Sequence, residues 1–105
     1  MWNAVLNKKM WRMYLGGDNV SEEIYISPAE QNDLSLLPHA YIETAEFDCL
    51  NSEGEEFAKR LSACGVRVAF NPTSKTMHGF DIAGCSITSD ALTKRIAALY
   101  AAFYN

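Results

Sequence analysis

The carboxylate of Asp48 and the imidazole of His78 are the side chains of this sequence best suited to proton transfer. Asp48 lies where one strand is predicted to end, and His78 follows a second predicted strand within the sequence His-Gly-Phe. A carboxylate at the carboxyl end of a strand can accept a hydrogen bond from one imidazole nitrogen, which fixes the tautomer and leaves the other nitrogen free to accept a proton. We therefore expect these two side chains to meet at one rim of a sheet.

Two strands and the helix between them are predicted to position this pair. Residues 40–47 favour a strand, and residues 66–70 alternate in the way of a second strand that Asn71-Pro72 should stop. Between them, Ser52 and Glu55 form a capping-box pattern, which predicts a helix that begins at Ser52 and ends at Gly65. The buried face of that helix is predicted to contain Phe57, Ala58, Leu61 and Cys64.

A helix is predicted on each side of this unit. Residues 2–15 place apolar side chains at intervals of three and four, and Gly16-Gly17 should end that helix. Residues 18–39 are predicted to be irregular, with a short helical turn near 28–31, and residues 73–87 to be a loop. The closing helix should run from Ser89 or Asp90 to Phe103. Its apolar stripe is predicted to contain Leu92, Ile96, Leu99, Tyr100 and Phe103.

The order of these elements predicts an α/β fold. Its two parallel strands should be joined by a right-handed helical crossover and flanked by N- and C-terminal helices. Parallel sheets are normally covered on both faces, and a sheet of two strands leaves two open edges. We expect residues 1–105 to form a single domain that belongs to a larger sheet, or a homo-oligomer formed through exposed strand edges or apolar helix faces.

Composition excludes several classes of partner. The net charge is −4 and no predicted element carries a basic stripe, which argues against nucleic acid as the main partner. No apolar run approaches the ~20 residues of a membrane span. The three cysteines are odd in number, lack C-x-x-C spacing and indicate reduced thiols in a cytoplasmic protein.

Other residues that could do chemistry have simpler interpretations. A zinc site made from His39, His78 and a cysteine lacks ligand spacing, so we predict no metal and no cofactor. His39 is interpreted as structural, and Cys49 as a small buried filler despite its place beside Asp48. Three aromatic residues of the first helix are expected to be core. They are Trp2, Trp11 and Tyr14.

Several sequence blocks occur in a characteristic order between Trp11 and Phe80. They are Trp11-Arg12-Met13-Tyr14, Ile26-Ser27-Pro28, Asp33-Leu34, Leu37-Pro38, Glu43 to Leu50, Glu53-Gly54-Glu55, Ala63-Cys64-Gly65-Val66 and Met77-His78-Gly79-Phe80. Together, the stretch resembles the C-terminal third of the hormone-sensitive-lipase-like branch of the α/β-hydrolase superfamily. The resemblance covers some 70 residues and rests on the order and spacing of the blocks rather than on any one of them.

The resemblance implies a carboxylic-ester hydrolase of the serine type that acts on a small ester, with the triad acid at Asp48 and the triad base at His78. The chain departs from the family at Cys49, where proline is usual, and at Ser52, where a second aspartate is common. It also contains no G-x-S-x-G and no His-Gly-Gly segment. We therefore expect a C-terminal fragment without its nucleophile, inactive alone.

Two alternatives remain open at this point. The chain could be a non-catalytic, self-associating interaction module, because its predicted sheet has open edges. A stand-alone enzyme that uses Cys49 or Cys85 as its nucleophile is the third hypothesis.

Overall fold

The computed structural model describes residues 2–16 and 26–104. Its elements follow one another as α1 (Ala4–Leu15), a 3-10 turn (Pro28–Glu30), β1 (Ala40–Ala45), α2 (Asn51–Ala63), β2 (Val68–Thr73), a second 3-10 turn (Phe80–Ile82) and α3 (Ser86–Tyr104). The strands β1 and β2 pair in parallel. The predicted α/β class, with two parallel strands and flanking helices, is therefore confirmed.

The second strand continues through the residues that were predicted to stop it. It runs to Thr73, and Glu46 N–H donates to Thr73 O at 3.1 Å. Odd-numbered residues of β2 therefore bond to β1, and the backbone nitrogen of Pro72 faces the outer edge. Because proline has no N–H to donate, it is tolerated on an edge where no bond is made. The predicted stop at Asn71-Pro72 is wrong for this reason.

The core lies between the sheet and α2. Leu34, Leu61 and Val66 form its buried cluster, and Leu34 is only 1% exposed. On α2, Ala58 and Leu61 are buried, while Phe57 and Cys64 are half-buried against the cluster. The predicted buried face of this helix is confirmed. Burial of this apolar surface is what holds α2 against the sheet.

The start of α2 differs from its prediction. The helix begins at Asn51 after Leu50, and no side chain caps it, so the predicted capping box at Ser52 is wrong. Asp48 instead shapes the turn before the helix, since its Oδ1 accepts from Leu50 N–H at 3.0 Å and its backbone oxygen accepts from Asn51 N–H at 3.1 Å. The residue with the candidate chemistry therefore also organises the turn between β1 and α2.

The two flanking helices are less buried than their patterns predict. No residue of α1 is buried, Tyr14 is 63% exposed, and Trp2 and Trp11 are only half-buried, so their assignment to the core is wrong. In α3, which begins at Ser86 rather than Ser89, only Thr88 and Ala91 are buried. The whole predicted apolar stripe of α3 is exposed, because no described residue covers it. Its members are Leu92, Ile96, Leu99, Tyr100 and Phe103.

This exposure agrees with an extended shape. The radius of gyration is 15.6 Å, against about 13 Å for a compact domain of this length. A continuous patch of large, solvent-exposed apolar side chains usually marks a surface that binds a partner.

The remaining predictions concern turns and loops. Gly16 ends α1 in the left-handed conformation, with φ of 64°, as predicted, whereas Gly17 and residues 18–25 of the predicted irregular segment lie outside the described residues. The short turn predicted near 28–31 is present at Pro28–Glu30. Of the helices that the structure describes, none combines the length and the apolar character needed to cross a bilayer.

Candidate active site

Asp48 and His78 meet at the carboxyl ends of the two strands. His78 Nδ1 lies 2.7 Å from Asp48 Oδ2, a hydrogen-bond distance across 30 residues of sequence. The expected juxtaposition of the acid and the imidazole is therefore found. With Nδ1 bonded to a carboxylate, Nε2 is the nitrogen left to accept a proton from another group.

The environment of Asp48 favours its ionised form. Burial alone would raise the pKa of Asp48, but the hydrogen bonds from Leu50 N–H and His78 outweigh burial and lower that pKa. The Asp48 side chain is 12% exposed, whereas the His78 side chain is 44% exposed. The pair therefore combines a fixed, charged acid with an imidazole that solvent or a substrate can reach.

A group of threonines that no local sequence pattern indicates fixes the chain just before His78. Thr73 Oγ1 donates to Thr44 O at 2.7 Å, and Thr76 Oγ1 donates to Thr73 O at 2.8 Å. Phe47 N–H then donates to Thr76 O at 2.9 Å, which ties the loop to the turn that carries Asp48. All three threonines are buried. The hydroxyls of Thr73 and Thr76 and the backbone oxygen of Thr44 therefore link the end of β2 to the end of β1.

Gly79 turns the chain sharply after His78. Its φ of 73° lies in the left-handed region, which a residue with a Cβ adopts at a cost of roughly 1–2 kcal/mol. The 3-10 turn Phe80–Ile82 begins directly after it. The chain is therefore tightly turned directly after His78.

Trp2 forms one wall beside the imidazole. Its ring stacks on His78 with centroids 6.0 Å apart and planes 29° from parallel. The indole N–H donates to Asn7 Oδ1 at 3.3 Å, so α1 holds the ring in place. This is the contact by which α1 reaches the candidate site.

An open groove of about 470 Å³ adjoins the pair. Its lining includes Glu43 to Ala45 of β1, Phe57 of α2, the loop that carries His78, and Arg95. Gly54 lets α2 approach closely here, since a Cβ at that position would lie 2.7 Å from Thr44 Cγ2. Among the described residues that line the groove, none is a serine.

Cys49, next to the acid, has the wrong electrostatic environment for a nucleophile. Burial, followed by the charge and hydrogen bonding of Asp48, raises the pKa of Cys49 and keeps its thiol protonated. The thiolate, not the thiol, is the reactive form of cysteine. The residue is half-buried rather than fully buried as expected of a filler. It therefore does not support the hypothesis of a cysteine enzyme acting through Cys49.

This difference predicts an order of thiol reactivity. Cys85 is exposed, and its hydrogen bonds with the Thr88 side chain and backbone lower its pKa. Iodoacetamide at neutral pH should therefore label Cys85 before Cys49. Peptide mass spectrometry over a time course measures both rates in one sample. Faster labelling of Cys49 would contradict the environment described for it.

No metal centre is evident in the described part of the chain. Residues 2–16 and 26–104 contain no group of three or more histidine, cysteine, aspartate or glutamate side chains that could hold an ion. The residues with candidate chemistry are therefore Asp48 and His78 as a hydrogen-bonded pair.

Comparison with known proteins finds a matching family model and several similar proteins. A family model described as alpha/beta hydrolase fold matches residues 1–82. The chain is 35% identical over 91 residues to vegetative-specific protein H5 of Dictyostelium discoideum, covering 85% of this chain and 26% of that protein. It is also 35% identical over 88 residues to an arylesterase of Saccharolobus solfataricus, covering 84% of this chain and 28% of the arylesterase.

A solved structure shares the fold. The esterase LipW from Mycobacterium marinum superposes with a TM-score of 0.84 at 31% identity, covering 91% of this chain and 31% of LipW. The chain therefore spans between a quarter and a third of the length of these relatives.

Proposed function

This chain belongs to the family described as alpha/beta hydrolase fold, and from that membership we propose that it is the acid-and-histidine portion of a serine-type carboxylic-ester hydrolase. In this proposal Asp48 is the triad acid and His78 is the triad base. The observation that carries it is the 2.7 Å contact between Asp48 Oδ2 and His78 Nδ1 at the rim of the sheet. The esterase relatives support an ester as the substrate.

The nucleophile is proposed to come from outside these 105 residues, which contain no G-x-S-x-G. We propose that the chain is the C-terminal portion of a longer hydrolase domain. The edge of β1 supports this, because among the described strands only β2 pairs with β1, on one of its two sides. Pro72 removes a donor from the outer edge of β2, so β1 has the edge better suited to a further strand. The groove beside β1 would receive that strand.

The proposed reaction begins when the serine hydroxyl attacks the carbonyl carbon of the ester. His78 Nε2 takes the hydroxyl proton, while the Asp48 carboxylate holds Nδ1–H and stabilises the imidazolium. The alcohol then leaves with the proton that His78 returns to it. Water, deprotonated by the same nitrogen, releases the acid from the acyl-enzyme and restores the serine.

A hybrid enzyme tests this proposal. In the hybrid, this chain replaces the matching segment of the Saccharolobus solfataricus arylesterase, whose remaining part should supply the nucleophile and the neighbouring strands. The folded hybrid is expected to hydrolyse a short-chain ester and to react with a serine-directed phosphonate. The arylesterase without the segment is the control and should do neither. A folded hybrid with no more activity than this control would overturn the proposal.

Self-association is a second candidate, because large apolar side chains are exposed on both flanking helices. Val5 and Met13 of α1 are exposed, as are Ile96 and Phe103 of α3. Such surfaces favour association of the isolated chain with a second copy. A monomer in sedimentation equilibrium at high micromolar concentration would exclude this candidate and leave the hydrolase proposal intact.

We further propose a cytoplasmic location with the three cysteines reduced, which their unpaired state supports.

A further inference from the structure

Arg95 of α3 is the centre of a charged network that the proposed chemistry does not use. Its Nε and Nη2 donate to Glu43 Oε1 at 3.1 and 2.5 Å, and its Nη1 donates to Asp81 Oδ2 at 2.8 Å. Its guanidinium also lies 6.0 Å from the centre of the Phe80 ring. One side chain on the last helix thus contacts β1 and the loop that follows His78.

Several hydrogen bonds hold the Glu43 carboxylate in place within this network. Its side chain is 11% exposed, and Oε2 accepts from Tyr41 Oη at 2.9 Å and from Asn71 Nδ2 at 3.1 Å. Burial alone would raise the pKa of Glu43, but the hydrogen bonds from Arg95, Tyr41 and Asn71 lower it, so the carboxylate is charged. Both carboxylate oxygens of Glu43 accept hydrogen bonds, and the side chain is largely buried. The ion pair therefore holds Arg95 in one geometry.

Asp81 connects the network to the loop that carries His78. It lies three residues after His78, in the 3-10 turn that begins beyond Gly79. On the other side of His78, buried Thr76 ties the loop to β2 and to the turn that carries Asp48. His78 itself is exposed and makes its side-chain contacts with Asp48 and Trp2. The short loop that carries the imidazole is therefore fixed at both ends, by Thr76 before it and by Asp81 after it.

We propose that Arg95 is a positioning residue that holds His78 opposite Asp48 by joining Asp81 in the histidine loop to Glu43 in β1. It acts through these two carboxylates and contacts neither ring nitrogen of His78. The planar guanidinium suits this task, because its donors reach two carboxylates in fixed directions, which an ammonium group cannot do. The catalytic consequence rests on the proposed function, whereas the effect on the hydrogen bond between His78 and Asp48 does not.

Nitrogen and proton NMR of the histidines in the isolated chain tests this inference. The His78 ring should show the tautomer protonated at Nδ1, with a low-field Nδ1–H resonance from its bond to Asp48. Arg95→Met should abolish that resonance and shift the ring nitrogens toward a mixture of tautomers. Asp81→Asn should do the same in part, and it changes a partly exposed side chain, so the fold should survive it. Arg95→Lys should restore the signal only weakly.

Lys94→Met is the matched control. Lys94 is the neighbour of Arg95 on α3 and donates to Asn71 Oδ1 at 2.7 Å, within the same network. This variant should keep the His78 resonance. An unchanged His78 signal in Asp81→Asn, or an equal loss in Lys94→Met, would overturn the positioning role. None of these readings involves ester hydrolysis, so failure of the hybrid enzyme and failure of this inference are separate outcomes.

Discussion

The 105-residue chain alone should hydrolyse a carboxylic ester no faster than buffer does, and a serine-directed phosphonate should leave it unlabelled. The physical reason is the missing nucleophile. In a serine triad, removal of the serine or the histidine costs around a million-fold in rate, since the members act as a unit. His78 and Asp48 can only move and stabilise a proton, and no described residue that lines the groove is a serine.

The measurement for this prediction should use an unactivated ester, with release of the acid followed by titration. Free imidazole attacks activated esters, so an unactivated substrate prevents a false signal from exposed His78. His78→Ala is the matched comparison, and both chains should give the buffer rate. Multiple turnover by the unmodified chain, together with phosphonate labelling of one of its serines, would contradict the proposed division between the acid–base portion and the nucleophile.

Within the hybrid enzyme, Asp48→Asn should lower kcat by about 10⁴-fold. The amide would still accept from Leu50 N–H, as Asp48 Oδ1 does at 3.0 Å, so the turn and α2 should remain in place. What changes is the partner of His78 Nδ1. The amide is neutral, cannot stabilise the imidazolium and can hold the ring in the wrong tautomer. The effect should therefore fall on kcat rather than on KM.

Asp90→Asn is the control for that substitution. It makes the same chemical change at an exposed residue of α3 that does not line the groove. Its kcat should equal that of the hybrid, and the thermal melts of the two variants should agree. A similar loss from both substitutions would show a general effect of charge or stability, and would remove the role proposed for Asp48.

Part of this site could be predicted from the sequence. The sequence pattern predicts the acid at the end of one strand and the imidazole just after the next, and parallel strands bring such positions to the same rim. The helix between the strands was also predicted with its buried face, because the positions of Phe57, Ala58 and Leu61 repeat at helical spacing. These features depend on local pattern, which a single sequence contains.

The residues that fix the loop could not be predicted in this way. Arg95 lies 52 residues from Glu43 in sequence, and no periodic pattern indicates their pairing. Thr73 and Thr76 look like ordinary loop threonines until the two strand ends are adjacent. The stop predicted at Pro72 fails for a related reason, since a proline stops a strand only where its nitrogen faces a partner. In each case the deciding contact is tertiary.

For the flanking helices, the sequence predicts the secondary structure correctly but not the burial of the side chains. The apolar spacing in α1 and α3 is correct for helices that cover a core, and the helices form. The side chains at those positions are nevertheless exposed, for example Ile96 at 65%. The pattern predicts which face a core would cover, and no described residue covers it. The proposed larger hydrolase domain would supply that cover.

The most direct test of the central claim is the rate of ester hydrolysis by the hybrid with His78→Ala, measured beside the hybrid with His39→Ala. His39 is the only other histidine and is exposed ahead of β1, so it is the natural control. We predict that His78→Ala lowers kcat about a million-fold while His39→Ala leaves it unchanged. Hydrolysis at the same rate by both variants would contradict the assignment of His78 as the base.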